Sequence, residues 1–300
     1  YYAYPLSNIT FDIENHSVDP IIGDIYVDPA GSNENSGTSL SSPFKNIYYG
    51  LLSAFANSSN PGTIHLADGT YSPSTNGEYF PLGGKDNVSI VGSSQEGTIL
   101  NGDSLTSIFY FEGIDDVTIS DLTVTNGYNT DYGGGISFYN TNSTLKNLIV
   151  SNNNANAGGG ISIRGGEVNL DNIIINNNNS TSVAGGVYLY YVAKIILNNV
   201  LAYENIGSNG GWMYTRGSDP IINNATIYNN ISNGDGGAIF CDMNSHPIVL
   251  NSSISSNNPD EIYFGPYNDY VNTISIAYSN LQGGESGIRT NDHGTINWLA

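Results

Sequence analysis

Short bursts of alternating apolar and polar residues run through most of the chain, and the bursts recur. In the stretch 167–193, "EVNL", "NIII" and "GVYLYY" are separated by Asn, Ser and Gly. Alternation and β-branched residues favour strands, and the density of Gly and Asn disfavours helix. Each unit therefore reads as three short strands and three turns. The period is visible in two columns. Double or triple glycines end at Gly135, Gly160, Gly186, Gly211 and Gly237, 25 or 26 residues apart. Half a repeat upstream stand Asp121, Asn147, Asn172, Asn199, Asn224 and Asn251, spaced by 25 to 27 residues. A repeat of about 25 residues built from three strands predicts an all-β fold, a right-handed parallel β-helix with three sheets. Each strand would pair with its counterpart one coil on, about 4.8 Å away.

Strand side chains alternate between faces, so the glycine column assigns core and surface. The first and third residues after it are Ile136/Phe138, Ile161/Ile163, Val187/Leu189, Trp212/Tyr214 and Ala238/Phe240, and these are expected inside. The second and fourth are Ser137/Tyr139, Ser162/Arg164, Tyr188/Tyr190, Met213/Thr215 and Ile239/Cys241, and these are expected outside. Asn126, Asn152, Asn177 and Asn229 recur five residues after the other column. They are read as corners whose amides stack from coil to coil.

Residues 1–24 read as an N-terminal extension, 25–105 as a cap with the first coils, and 106–300 as the β-helix. In the cap, Ser42 and Pro43 are placed to open a helix, and Phe44, Ile47, Leu51, Leu52 and Phe55 form its apolar stripe. Such a helix would cover the hydrophobic end of the solenoid. The last coil ends at Ala300 without a polar cap, so a continuation is expected beyond it.

Composition narrows the partners. Seven Lys and Arg against 27 Asp and Glu leave a formal charge of −20, which repels nucleic acid and anionic membrane surfaces. No apolar run is long enough to span a membrane, and the single cysteine, Cys241, excludes an intrachain disulfide framework.

The segments "IYVDPAGSNENSGTSLSSPFKNI" and "GTIHLADGTYS" resemble the opening of secreted bacterial right-handed β-helix proteins of the pectate-lyase-like superfamily. "GGGIS" and "GGAIF" resemble repeats of polymorphic outer-membrane and adhesin-like proteins, and "ISIAYSNLQGGESGI" with "GTINWLA" is similar to the last coil of choice-of-anchor Q proteins. The resemblance spans residues 25 to 300 and implies an extracellular or cell-surface location.

Three functions follow as expectations. The first is a non-catalytic module that binds glycan or mediates adhesion. The second is a polysaccharide lyase or glycoside hydrolase, and the third is a structural stalk or filament subunit formed by self-association. A lyase needs a base and a cation to neutralise the uronate carboxylate, often Ca²⁺; the repeat region offers Lys146, Arg164, Lys194, Arg216, His246 and Arg289. "NTD" at 129–131 matches one fragment of the polygalacturonase motifs, whose other elements are missing. Ca²⁺ is the one candidate cofactor, with oxygen ligands in "NNPDE" at 257–261 and "SNGD" at 232–235. His16, His65, His246 and His293 are too scattered for a zinc cluster. The outward residues Tyr139, Arg164, Tyr188, Tyr190, Met213 and Arg216 are the candidate carbohydrate-binding strip, since sugars pack their C–H faces on rings. Tyr also suits exposed strands for its β propensity alone.

Overall fold

Ile136, Ile161, Val187, Met213 and Ile239 stand in register in five successive coils, all fully buried. Each such side chain stabilises the fold by about 1.5–3 kcal/mol through burial. This stacking is the principle of the whole molecule. The computed structural model describes residues 20–266, 270–292 and 294–299, which wind into an all-β parallel solenoid of about nine turns of about 26 residues.

Among the described residues three long sheets run along it, with a short four-stranded one, Asn154–Ala157, Asn179–Val183, Ile206–Gly207 and Ile231–Ser232, beside them in the middle coils. The groove sheet collects the glycine-led strands, from Leu82–Gly83 and Phe109–Glu112 through Val187–Tyr190, Met213–Arg216 and Ile239–Asp242 to Ile288–Arg289. The second sheet runs from Ile25–Val27 to Gly294–Leu299, and the third from Gly69–Tyr71 to Asn280–Leu281. The second passes into the third at single left-handed residues, Asp121, Asn147, Asn172, Asn199, Asn224 and Asn251, with φ of 59, 50, 56, 54, 54 and 49°. Asn and Asp tolerate that conformation best among residues with a Cβ. Asn147 donates to Asp121 and Asn172 to Asn147, both at 2.8 Å.

The other asparagine column is displaced by one residue from the expected one. Asn126, Asn152, Asn177 and Asn229 are left-handed corners, and they turn the next residue inward. The amide ladder is therefore Asn153, Asn178, Asn205, Asn230 and Asn257, all buried. Each Nδ2 donates to the next Oδ1 at 2.8 to 3.0 Å, and the last donates to Glu261 at 2.6 Å. Every rung also donates to a carbonyl of the preceding coil, so the polar atoms are satisfied inside the core.

The glycine column also shifts in its last two repeats. Trp212 and Ala238, not Gly211 and Gly237, precede the inward column, because Val187 pairs with Met213 and Met213 with Ile239. The left-handed position is Gly133, Gly158, Ala184, Gly210 and Gly236. Counting from the last glycine thus inverts the strand residues that follow in two coils, since a slip of one residue exchanges faces, although Trp212 and Ala238 are fully buried in the main core as expected. Met213, Thr215, Ile239 and Cys241 lie inside, whereas Tyr214 and Phe240 stack outside with Tyr188. Met213, expected in the sugar-binding strip, is fully buried in the main core.

The cap helix spans Ile47–Ser53, starting after Pro43 rather than at it. Phe44, Ile47 and Leu51 are buried against the first coil, but Leu52 and Phe55 face outward. The start is set by Glu78, whose carboxylate accepts the Ile47 and Tyr48 backbone N–H at 2.8 and 3.0 Å, satisfying orphan donors of the first turn. Residues 1–19 of the expected extension lie outside the described residues, as do His293 and Ala300; Ile21–Ile22 pairs with Ala54–Phe55.

Candidate functional site

The groove sheet presents two outward columns. One runs Tyr110, Ser137, Ser162, Tyr188, Tyr214, Phe240 and Tyr263; the other runs Glu112, Tyr139, Arg164, Tyr190, Arg216 and Asp242. Parallel pairing sets neighbours in a column one strand spacing apart, so Arg164 and Arg216 flank Tyr190 at about 10 Å from each other. Tyr188, Tyr214, Phe240 and Tyr263 follow one another with centroids 5.9, 4.8 and 4.9 Å apart; Tyr214 and Phe240 are stacked, and the two flanking pairs are tilted.

Tyr139, Arg164, Tyr188, Tyr190 and Arg216, together with Tyr132, line a hollow of about 300 Å³. Five of the six expected residues thus meet in one place, and Met213 lies beneath it in the core. The Arg164 guanidinium carbon lies 4.1 Å from the Tyr132 ring centroid and 5.0 Å from that of Tyr139. Arg216 lies 5.8 Å from the centre of Tyr190. These are cation–π distances. Burial pushes the Tyr188 hydroxyl up to about 12, so it is a neutral hydrogen-bonding group at physiological pH.

The two arginines differ in their compensation. Arg216 Nε is 3.7 Å from the carboxylate of Asp242, a fully buried residue that also accepts the Tyr214 hydroxyl at 2.6 Å. Burial opposes the Arg216 charge, but Asp242 together with Tyr214, Tyr188 and Tyr190 outweighs it and raises the group above its ordinary value. Asp242 therefore holds Arg216 in place. Arg164 has no carboxylate within ion-pair distance among the described residues, and its Nε is buried without a hydrogen-bond partner. An uncompensated cation in a chain of charge −20 offers a ready partner to a carboxylate or a sugar hydroxyl.

Tyr132 was not among the expected residues, though a signal for it exists. The residues before the left-handed position are Tyr132, Ala157, Val183, Asn209 and Asp235, of which only the first is aromatic.

The other candidates take different places. Asp115 and Asp116 lie on the second sheet, away from "NTD" at 129–131, and Asp116 borders a wider hollow of about 390 Å³ with Asn142, Glu167 and Asn169. That hollow has no aromatic wall. In the two loops considered for Ca²⁺, Asn257 and Glu261 end the amide ladder, and Asp235 and Asp260 both bind Arg289. Among the described residues no three His, Cys, Asp or Glu side chains converge as metal ligands, and no helix is long and apolar enough to cross a membrane.

Comparison with known proteins places these features in a wider group. A family model described as right handed beta helix region matches residues 107–258, just over half of the chain. Among solved structures, the pectate lyase Pel9A superimposes with a TM-score of 0.60 at 17% identity, over 89% of this chain and 74% of that one. The pectin methylesterase PemA from Erwinia chrysanthemi superimposes with a TM-score of 0.57 at 13% identity, over 90% of this chain and 93% of its own. No curated protein matches the sequence. At these identities the likeness is one of fold.

Proposed function

The chain belongs to the right-handed β-helix family, and from that premise we propose that it is a non-catalytic extracellular module that binds glycan in the tyrosine–arginine hollow of the groove sheet. The observation that carries this reading is the convergence of four tyrosines and two arginines on one hollow. Ring faces suit the C–H face of a pyranose, while the guanidinium edges suit its oxygens. Two solved proteins of like fold are named for pectate and pectin, which favours a polysaccharide. No carboxylate lines the hollow, and the one paired with Arg216, Asp242, is buried and engaged with Tyr214. That favours binding over a lyase or hydrolase reaction there. Protein groups supply every contact in this scheme, so EDTA is expected to leave binding unchanged.

Retention on intact polysaccharides, with a glycan array alongside, tests the reading. Tyr188→Ala combined with Tyr190→Ala is expected to weaken retention about tenfold or more. The control is Tyr203→Ala with Tyr228→Ala, a stacked pair on the third sheet, which should change nothing. Unaltered retention in the first variant would remove the hollow from the scheme. Accumulation of an unsaturated, ultraviolet-absorbing product would replace binding by lyase chemistry.

A further inference from the structure

Five strands of the groove sheet are followed by a left-handed residue. After the in-register column Tyr139, Arg164, Tyr190, Arg216 and Asp242 come Asn140, Gly165, Tyr191, Gly217 and Met243, with φ of 49, 74, 46, 58 and 49°. Gly and Asn suit this conformation, whereas a bulky aromatic adopts it only under steric strain. Such strain persists where the surroundings hold it, and it gathers at functional sites. Burial gives Tyr191 little in return, since the residue is 53% exposed. Asn140, Gly165 and Gly217 show that the corner forms without a ring.

The Tyr191 ring is nevertheless fixed from three sides. It stands edge-to-face on Tyr190, with centroids 4.7 Å apart and planes at 90°. One coil on, Gly217 leaves room for it, because a Cβ there would lie 2.6 Å from a carbon of the ring. Two coils on, the Tyr191 hydroxyl reaches Met243 Sδ at 4.0 Å. The same sulfur accepts from Arg216 Nε at 2.9 Å. Tyr190 and Arg216 line the hollow, and Tyr191 does not. A held, half-exposed ring therefore adjoins the hollow beside its last arginine.

We propose that Tyr191 is a second sugar platform, which a glycan chain meets as it leaves the hollow past Arg216. The proposal rests on the glycan reading of the hollow. From Tyr139 to Arg216 the hollow spans three strand spacings, about 14 Å, a length that a trisaccharide fills. A longer chain lays the C–H face of its next pyranose on the Tyr191 ring. The site then prefers a long polysaccharide to its short fragments, and the strain at Tyr191 is the cost of holding the ring where that next sugar falls.

Calorimetric titration with the trimer and hexamer of galacturonate, and with cellotriose and cellohexaose, tests this, with thermal melting alongside. The natural chain is expected to bind the hexamer of the better series about tenfold more tightly than its trimer. Tyr191→Asn should remove that difference, leave trimer affinity unchanged and keep or raise the melting temperature. Tyr191→Phe should retain the difference. If only the hexamer binds detectably, its loss in Tyr191→Asn and its return in Tyr191→Phe support the platform. A preference for the hexamer that survives Tyr191→Asn, or none in the natural chain, overturns the platform and leaves the glycan reading intact. Equal weakening of trimer and hexamer makes Tyr191 a support for Tyr190 and also overturns it. A clear fall in melting temperature makes the ring a strut of the fold, with the same consequence. Binding of no probe by the natural chain overturns both readings.

Discussion

From Tyr188 to Tyr263 the outer column of the groove sheet is a run of rings 4.8 to 5.9 Å apart, whereas at Ser137 and Ser162 the same column holds hydroxyls that bond nothing. The strands beneath are continuous in register through both regions. Backbone geometry therefore does not separate them. Side-chain chemistry does: large flat residues repeated in register pack on one another, and the small serines are buried with unmet hydrogen-bonding capacity.

The sharpest way to break the contrast is to remove a ring from the packed half. Phe240→Ala takes a 5%-exposed side chain from between Tyr214 and Tyr263. It should destabilise the protein by about 3 kcal/mol, measured as a shift in urea midpoint at constant slope.

An intermediate effect is expected where the amide ladder, which runs behind both regions, meets its terminal carboxylate. Burial raises the Glu261 carboxyl above the ordinary glutamate value, against the opposing bonds from Asn257. The folded chain therefore holds that proton more tightly than the unfolded chain. The stability linked to it is fully present below the unfolded value and is lost as pH rises through the folded one. Glu261→Gln keeps an acceptor for Asn257 and removes the titration. The difference in melting temperature between the natural chain and this variant should favour the natural chain increasingly as pH falls from 7 towards the ordinary glutamate range. A difference independent of pH would show that burial leaves the carboxyl unshifted.

The smallest effect belongs to the serine half, and its sign is opposite to that of Phe240→Ala. Ser162→Ala deletes an unpartnered buried hydroxyl and should leave stability unchanged or raise it by up to about 1 kcal/mol. A loss as large as that of Phe240→Ala would mean that both regions are structural alike.

Much of this was readable along the chain. A 25-residue beat of Gly and Asn with β-branched alternation pointed to a stacked solenoid. In the coils of Ile136, Ile161 and Val187 the inward letters fell where expected and Tyr139, Arg164 and Tyr190 reached the surface, whereas Ser137, Ser162 and Tyr188, expected outside, are buried. Those coils carry Tyr139, Arg164, Tyr188 and Tyr190, so most of the hollow was visible too. The helix was also anticipated, but its start depended on Glu78, a residue 31 positions from the N–H it caps.

By itself the sequence determined the period, the corner chemistry and the composition of each face. Tertiary structure alone decided the register of the last repeats, the residue that forms the amide ladder and the seat of Tyr132. Where "GGG" becomes "GGW" or "GGA", the letters allow two alignments one residue apart. Only the left-handed backbone at Ala184, Gly210 and Gly236 selects between them, and that choice sends Met213 inside and Tyr214 outside. Tyr132 reaches the hollow from a turn, across the sheet rather than along it. Periodicity describes neighbours along the column, and it carries no information about a side chain that arrives from the side.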